Sequence, residues 1–174
     1  MKYAVFSDSH DNFYNLEQAI KLVKERNITT VFHLGDFCAP GAVRTMTAHK
    51  DLKWICVWGN NEGAKAQIVL EQKNNPNFDV ANESFRELEI EGKKIFLVHF
   101  PELARHAALT GEYQAVFYGH DHQKKVEKLE NGTLLANPGE LAGFATGQPS
   151  FGIWDAKTNE FEIVDLTDFK TTKV

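Results

Sequence analysis

The chain has 174 residues, 43% of them apolar and 25% charged, a balance that excludes a disordered chain and is large enough for one domain spanning 1–174 with a substantial core. A net charge of −5 disfavours non-specific attachment to a nucleic-acid backbone. No run reaches the ~18 apolar residues of a membrane span, the opening MKYAVFSDSH turns polar too soon for a signal peptide, and Cys38 and Cys56 make neither a disulfide framework nor a C-x-x-C zinc knuckle.

Lys2–Ser7 is short, apolar and bounded by polar residues, which predicts a strand. Phe13–Arg26 carries Leu16, Ala19, Ile20 and Val23 on one helical stripe. Strands follow at Thr30–Leu34 and Lys53–Val57, each ending near a glycine, with a helix around Ala42–His49 between them. This alternation predicts βαβ units and parallel pairing. Later segments predict antiparallel hairpins: Phe85–Ile90 with Lys94–Val98 across Glu91-Gly92, and Phe151–Asp155 with Phe161–Leu166 across Lys157–Asn159. Val126–Leu129 and Thr133–Leu135 flank Asn131-Gly132, the residue pair of a two-residue type I′ turn. A helix over Glu102–Leu109 interrupts this β-rich half. The fold class is α/β with two packed mixed sheets and helices outside.

Candidate metal ligands stand directly after these strands. Asp8-Ser9-His10 follows the first, Gly35-Asp36 the second and Gly59-Asn60-Asn61-Glu62 the third; His99 closes another, and Gly119-His120-Asp121-His122 follows Phe117-Tyr118. Open α/β sheets gather their ligands at such strand ends. The i, i+2 spacing of Asp8/His10 and His120/His122 is expected to set both side chains on one side of an extended segment. With Asp36, Asn60 and His99, the two pairs offer nitrogen and oxygen donors for two divalent ions. The absence of thiolates suits manganese, iron, cobalt or zinc better than an iron–sulfur cluster. Asp-x-His or Gly-Asp alone is a common turn or surface pattern. The five clusters in order carry the reading.

Asp8-x-His10, Gly35-Asp36, Gly59-Asn60, His99 and Gly119-His120-x-His122 together resemble the calcineurin-like metallophosphoesterase signature, and Asn137-Pro138-Gly139 follows where relatives often carry the same tripeptide. The compact length is similar to the small bacterial and archaeal phosphodiesterase branch. The resemblance implies a four-layer α/β/β/α sandwich of two mixed sheets flanked by helices. It implies a metal-dependent phosphoesterase, in first place a phosphodiesterase, and the two cysteines make a reducing cytoplasm the expected location. Two divalent ions are implied, manganese first, with iron, cobalt, nickel or zinc as alternatives. Asp8, His10, Asp36 and His122 would hold one ion; Asp36 would bridge to a second, held also by Asn60, His99 and His120. A metal-activated hydroxide would attack the phosphorus of a small phosphate ester in line with the leaving oxygen. Two divalent cations outweigh the Asp8 and Asp36 carboxylates, so the acidic chain still offers an anionic substrate a positive site. A phosphomonoesterase or nucleotide pyrophosphohydrolase would use the same centre. A retromer subunit of similar fold shows that such a domain can also be a non-catalytic scaffold; the intact set of seven ligand positions weighs for the enzyme. No membrane or nucleic-acid partner is implied, and homo-oligomerisation stays open.

Asp36 and Asn61 are the residues assigned to catalysis, and Asn12, Asn61 and Phe100 to substrate contact. Relatives often carry histidine where this chain has Asn61, whose amide can donate a hydrogen bond but not a proton at neutral pH. Phe100 follows His99 where relatives usually have glycine. Glu62 admits two readings, orienting a ligand histidine or standing solvated at a helix N-terminus. Asn12 could reach a phosphate oxygen, although capping the next helix is simpler. His33 is expected to be a satisfied interior residue, His49 and His106 to lie on helix surfaces, Cys38 to be a small core residue, and Lys124, Lys125 and Lys128 to form a solvated strip. The Gly-rich stretch Asn137–Ser150 is long for a connection and is expected to be functional or mobile, with Phe144 bordering the substrate.

Overall fold

The computed structural model describes residues 1–166, so the end of the expected 1–174 domain, 167–174, lies outside the described residues. In chain order the elements are β1 (Lys2–Phe6), α1 (Phe13–Glu25), β2 (Thr30–His33), α2 (Pro40–Ala48), β3 (Lys53–Cys56), α3 (Lys65–Asn74), β4 (Phe78–Val80), β5 (Phe85–Ile90), β6 (Lys93–Val98), α4 (Pro101–Leu109), β7 (Ala115–Phe117), β8 (Lys125–Lys128), β9 (Leu134–Asn137), β10 (Ser150–Asp155) and β11 (Glu160–Asp165). One sheet has the order β11-β10-β1-β2-β3-β4 and the other β5-β6-β7-β9-β8. The expected parallel pairing holds from β1 to β4, while β10 joins β1 antiparallel and carries β11 as an antiparallel edge. In the second sheet β6, β7 and β9 are parallel between antiparallel edges β5 and β8.

Strand period assigns side chains to layers. On β1, Ala4 and Phe6 pack under α1 and α2, whereas Tyr3 and Val5 face the second sheet. On β3, Trp54 and Cys56 take the helix side and Ile55 the sheet side, which Val57, just past the strand, continues. On β6, Ile95 and Leu97 face the first sheet, and Phe96 and Val98 pack with Ala104 and Ala108 of α4. Three apolar interfaces therefore separate four layers, the expected α/β/β/α sandwich. The central strands read as unbroken apolar runs because both faces are covered.

Local expectations fail in two places. The Asn131-Gly132 turn is not type I′: only Gly132 has positive φ, at 88°, and Leu129 N–H donates to Thr133 O, making a three-residue loop with a left-handed glycine. Asn131 is held at negative φ because its side chain accepts from Thr133 N and donates to Ala108 O. The two-residue I′ geometry occurs instead at Glu91-Gly92, with φ of 51° and 74°. The second failure is an omission: α3 and β4 had no readable pattern, because α3 buries only Ile68 and has no side-chain N-cap.

Candidate metal centre

The loops that leave β1, β2, β3, β6 and β7 meet at one edge of the sandwich. Asp8, Asp36 and His99 are buried, and His10 and His122 are half-buried. Asp8, His10 and His122 can bring one ligand atom each within 4.8 Å of one another, and so can Asp8, Asp36 and His99. Asp36 Oδ2 lies 3.7 Å from His10 Nε2 and 3.5 Å from His99 Nε2, so this carboxylate touches both groups.

The i, i+2 pairs do not converge by lying on extended chain. Asp8, His10, His120 and His122 have φ of 52°, 40°, 72° and 60°, and Asp36 has 56°; all sit in the left-handed region. Such conformations cost roughly 1–2 kcal/mol each for residues with a Cβ and persist only when the surroundings over-determine them. Here they are pinned by main-chain bonds from Asp8 N to Gly35 O at 3.1 Å and from His10 N to Asp36 O at 2.9 Å, and by His120 N donating to Asp8 Oδ2 at 3.0 Å. Two glycines make room. A Cβ at Gly59 would strike the Asp36 carboxylate, and one at Gly119 would strike Ser7 Oγ and Asp8 Oδ2.

The donor chemistry fits a divalent cation. Asp8 Oδ1 and His10 Nε2 are buried without a hydrogen-bond partner. His99 Nδ1–H donates to Leu34 O at 2.8 Å, which leaves Nε2 as a bare lone pair 3.0 Å from Asn60 Oδ1. His120 Nδ1 is 2.9 Å from the same oxygen. The unpartnered Asp8 Oδ1, and the His99 lone pair facing the Asn60 oxygen, are acceptors that a cation between them would satisfy. Without one, protons substitute. The Asp8 contact raises the pKa of both His10 and His122. For His99, burial pushes the imidazole down, but Asp36 and Asp8 outweigh it and the net shift is upward. Burial likewise pushes the two carboxyls up, yet histidine contacts hold Asp8 well below the carboxylate range and, with both Asn61 donors, bring Asp36 to about 2.

The remaining assigned residues lie around this cluster. Asn61 is exposed and donates its backbone N–H to Asp36 Oδ1 at 2.8 Å and its side-chain amide to Oδ2 at 2.7 Å. Phe100 N-caps α4 and sets its ring edge-on to His99 and His120, with centroids 5.1 Å away. Asn12 is taken up by structure: Oδ1 accepts from Asn15 N, and Nδ2 donates to Ala142 O. Glu62 matches neither reading. It is buried and touches no histidine; its carboxylate accepts from Phe37 N and Gly59 N and so ties the Asp36 loop to the Asn60 loop. Cys38 is not a core residue but half-exposed, with Sγ 3.5 Å from His10 Nδ1. His49 caps the end of α2 and pairs with Glu17, while His106 is exposed on α4. Two residues had not been singled out. Ser7 Oγ donates to Asp8 Oδ2, and buried Glu140 stands 3.3 Å from His122 Nδ1. The one trace of Glu140 in the sequence is a carboxylate directly after Asn137-Pro138-Gly139.

Residues 1–159 match the family described as the calcineurin-like phosphoesterase superfamily domain. A phosphodiesterase of Methanocaldococcus jannaschii is 32% identical over 168 residues, 95% of this chain and 99% of that protein. The solved structure of an archaeal phosphodiesterase superposes with a TM-score of 0.85 at 30% identity, covering 95% of this chain and all of that one. The E. coli phosphoesterase Yfce shares the fold, with a TM-score of 0.69 at 20% identity over 94% of this chain and 98% of its own.

Proposed function

The chain belongs to the calcineurin-like phosphoesterase superfamily and is a metal-dependent hydrolase of phosphate esters; from this premise we propose that it is a phosphodiesterase with a dinuclear centre. Asp8, His10, Asp36 and His122 would hold one ion, and Asp36, Asn60, His99 and His120 the other. The observation that carries the reading is the convergence of unpaired acceptors, Asp8 Oδ1 and His10 Nε2 above all, beside an Asp36 carboxylate that reaches both histidine groups. When bound, a pair of divalent ions clamps phosphoryl oxygens and acidifies water to supply the nucleophile. The all-nitrogen-and-oxygen donor set suits manganese, iron, cobalt or zinc, and the family resemblance puts manganese first. Similarity to the archaeal phosphodiesterases supports the diester preference. Residues 1–174 are read as a single domain, and the free thiols of Cys38 and Cys56 agree with a reducing, cytoplasmic location.

This chain's residues then divide the work. Asp36 is held ionised by His99 and Asn61, so it is available as a bridging ligand. The Phe100 ring closes one side of the His99 and His120 imidazoles and borders the ester. Asn61 turns its amide from Asp36 to a phosphoryl or leaving oxygen but brings no proton. Proton donation by a positioned acid contributes roughly 10²–10⁴-fold, so leaving groups that need it suffer. Chelation is expected to abolish hydrolysis and Mn²⁺ to restore it, with aryl diesters cleaved far faster than alkyl ones. Asn61→His should flatten that dependence on leaving-group pKa. Chelator-treated protein with an unchanged rate would overturn the two-ion reading; a shallow slope in the wild type would overturn the role given to Asn61.

A further inference from the structure

Glu140 belongs to no ligand cluster, yet it is completely buried. Its oxygens accept from the backbone N–H groups of Phe144 and Ala145 at 3.0 Å, from Thr146 N, and from Thr146 Oγ1 at 2.7 Å. They thereby fold the 143–147 loop around one carboxylate. The same Oε2 that receives Phe144 N lies 3.3 Å from His122 Nδ1, and His122 Nε2 points the other way, 3.3 Å from Asp8 Oδ1. One imidazole thus spans a loop-organising carboxylate and a candidate metal ligand. The backbone of Glu140 cannot drift, because Ser150 N donates to its carbonyl and the next two N–H groups donate to Ser7 O and Asp8 O.

A loop of this size needs only an acceptor at its centre, whereas a buried charge is costly and must be repaid by its contacts. The backbone donors satisfy the loop. The imidazole is the contact that a loop-only role leaves unexplained. A carboxylate on Nδ1 keeps the proton there and frees Nε2 as a ligand lone pair, the arrangement that orients metal-binding histidines. The other histidines have weaker partners: the Leu34 carbonyl for His99 and the Cys38 sulfur for His10.

We propose that Glu140 is a positioning residue that couples divalent-ion binding at His122 to the order of the 143–147 loop. The inference rests on His122 being a metal ligand. Coupling is reciprocal: whatever tightens the ion tightens the loop, and the reverse. The test needs no substrate. Mn²⁺ binding is measured by equilibrium dialysis for the wild type, Glu140→Gln, Thr146→Ala and His122→Ala, and amide exchange at Ala145 and Thr146 is followed in the wild type with and without Mn²⁺. Glu140→Gln is expected to weaken Mn²⁺ binding by about 10–100-fold, and Thr146→Ala, which loosens only the loop side, by less than Glu140→Gln. Mn²⁺ should slow exchange at both amides. If His122→Ala loses affinity while Glu140→Gln keeps it, this inference fails and the proposed centre stands. If His122→Ala binds as the wild type does, the ligand assignment fails and takes the inference with it. Should Glu140→Gln not fold, the wild-type exchange decides: amides indifferent to Mn²⁺ overturn the coupling.

Discussion

His33 stands on β2 with no solvent exposure, its ring against Phe6 and Phe37. Gly35 N–H donates to its Nδ1, which puts the imidazole proton on Nε2 and directs it to Ser9 Oγ at 3.1 Å. The neutral ring is thus fully satisfied, as a satisfied interior histidine should be. Burial pushes its pKa down to about 3, against the pull of the Asp8 and Asp36 carboxylates. Between that value and the unfolded pKa near 6.5 the unfolded chain binds a proton that the folded chain refuses, so this residue's contribution is present at neutral pH and lost as pH falls. At pH 5 the loss is about 2 kcal/mol. His10, His99 and His122 work in the opposite sense in metal-free protein, since their raised values favour the fold below the unfolded pKa and lose that benefit as pH rises. Urea titrations of chelated protein at pH 7 and pH 5 should therefore show the wild type losing about 2 kcal/mol more than His33→Gln over that interval; equal losses would refute the assignment.

Hairpins and helices were legible wherever one physical pattern dominated. The β5–β6 and β10–β11 pairs form in the expected order because alternation and turn residues agree. The α1 stripe of Leu16, Ala19, Ile20 and Val23 is the face the helix buries. The five ligand loops were legible because each follows an apolar strand. Their shape was not, since left-handed conformations at Asp8 and His10 are held by partners far along the chain, Gly35 and Asp36. Glu140 escaped notice for the same reason: its partners are loop amides and an imidazole outside any local motif. The turn after β8 separates backbone cost from packing cost. Gly132 has φ 88° with nothing near the position a Cβ would take. Gly132→Ala should therefore destabilise by about 1–2 kcal/mol through the left-handed backbone alone, and leave metal affinity untouched. Thermal unfolding together with Mn²⁺ titration checks both halves; an unchanged midpoint would mean that the loop relaxes freely.

At the scale of the molecule, ions held by the proposed ligands would bind only the folded chain and act as a clamp across both sheets. Asp8, Asp36 and Asn60 come from the loops of one sheet, and His99, His120 and His122 from those of the other. With a divalent ion at a hundred times its dissociation constant, the folded state should gain about 2.7 kcal/mol per site. Calorimetry is expected to show a rise in melting temperature with Mn²⁺ that chelator reverses and Asp36→Ala largely removes. A rise that survives Asp36→Ala would place the ions elsewhere.

The position of β10 between β11 and β1 bears on how the chain is made. A strand near the start of the sheet's chain order is thus completed by one synthesised long after it. Until Ser150–Asp155 has been synthesised, β1 has a neighbour on one side only, and Tyr3, Val5, Phe32 and Ile55 offer a bare apolar surface until the second sheet arrives to cover it. A nascent chain stalled at Pro101 already contains Asp8, His10, Asp36, Asn60 and His99 but neither His120 nor His122, and the strand that would frame them is missing. If the proposed ligands hold the ions, such a chain would lack part of the vessel, and ion capture would be a late event in the life of each newly made molecule.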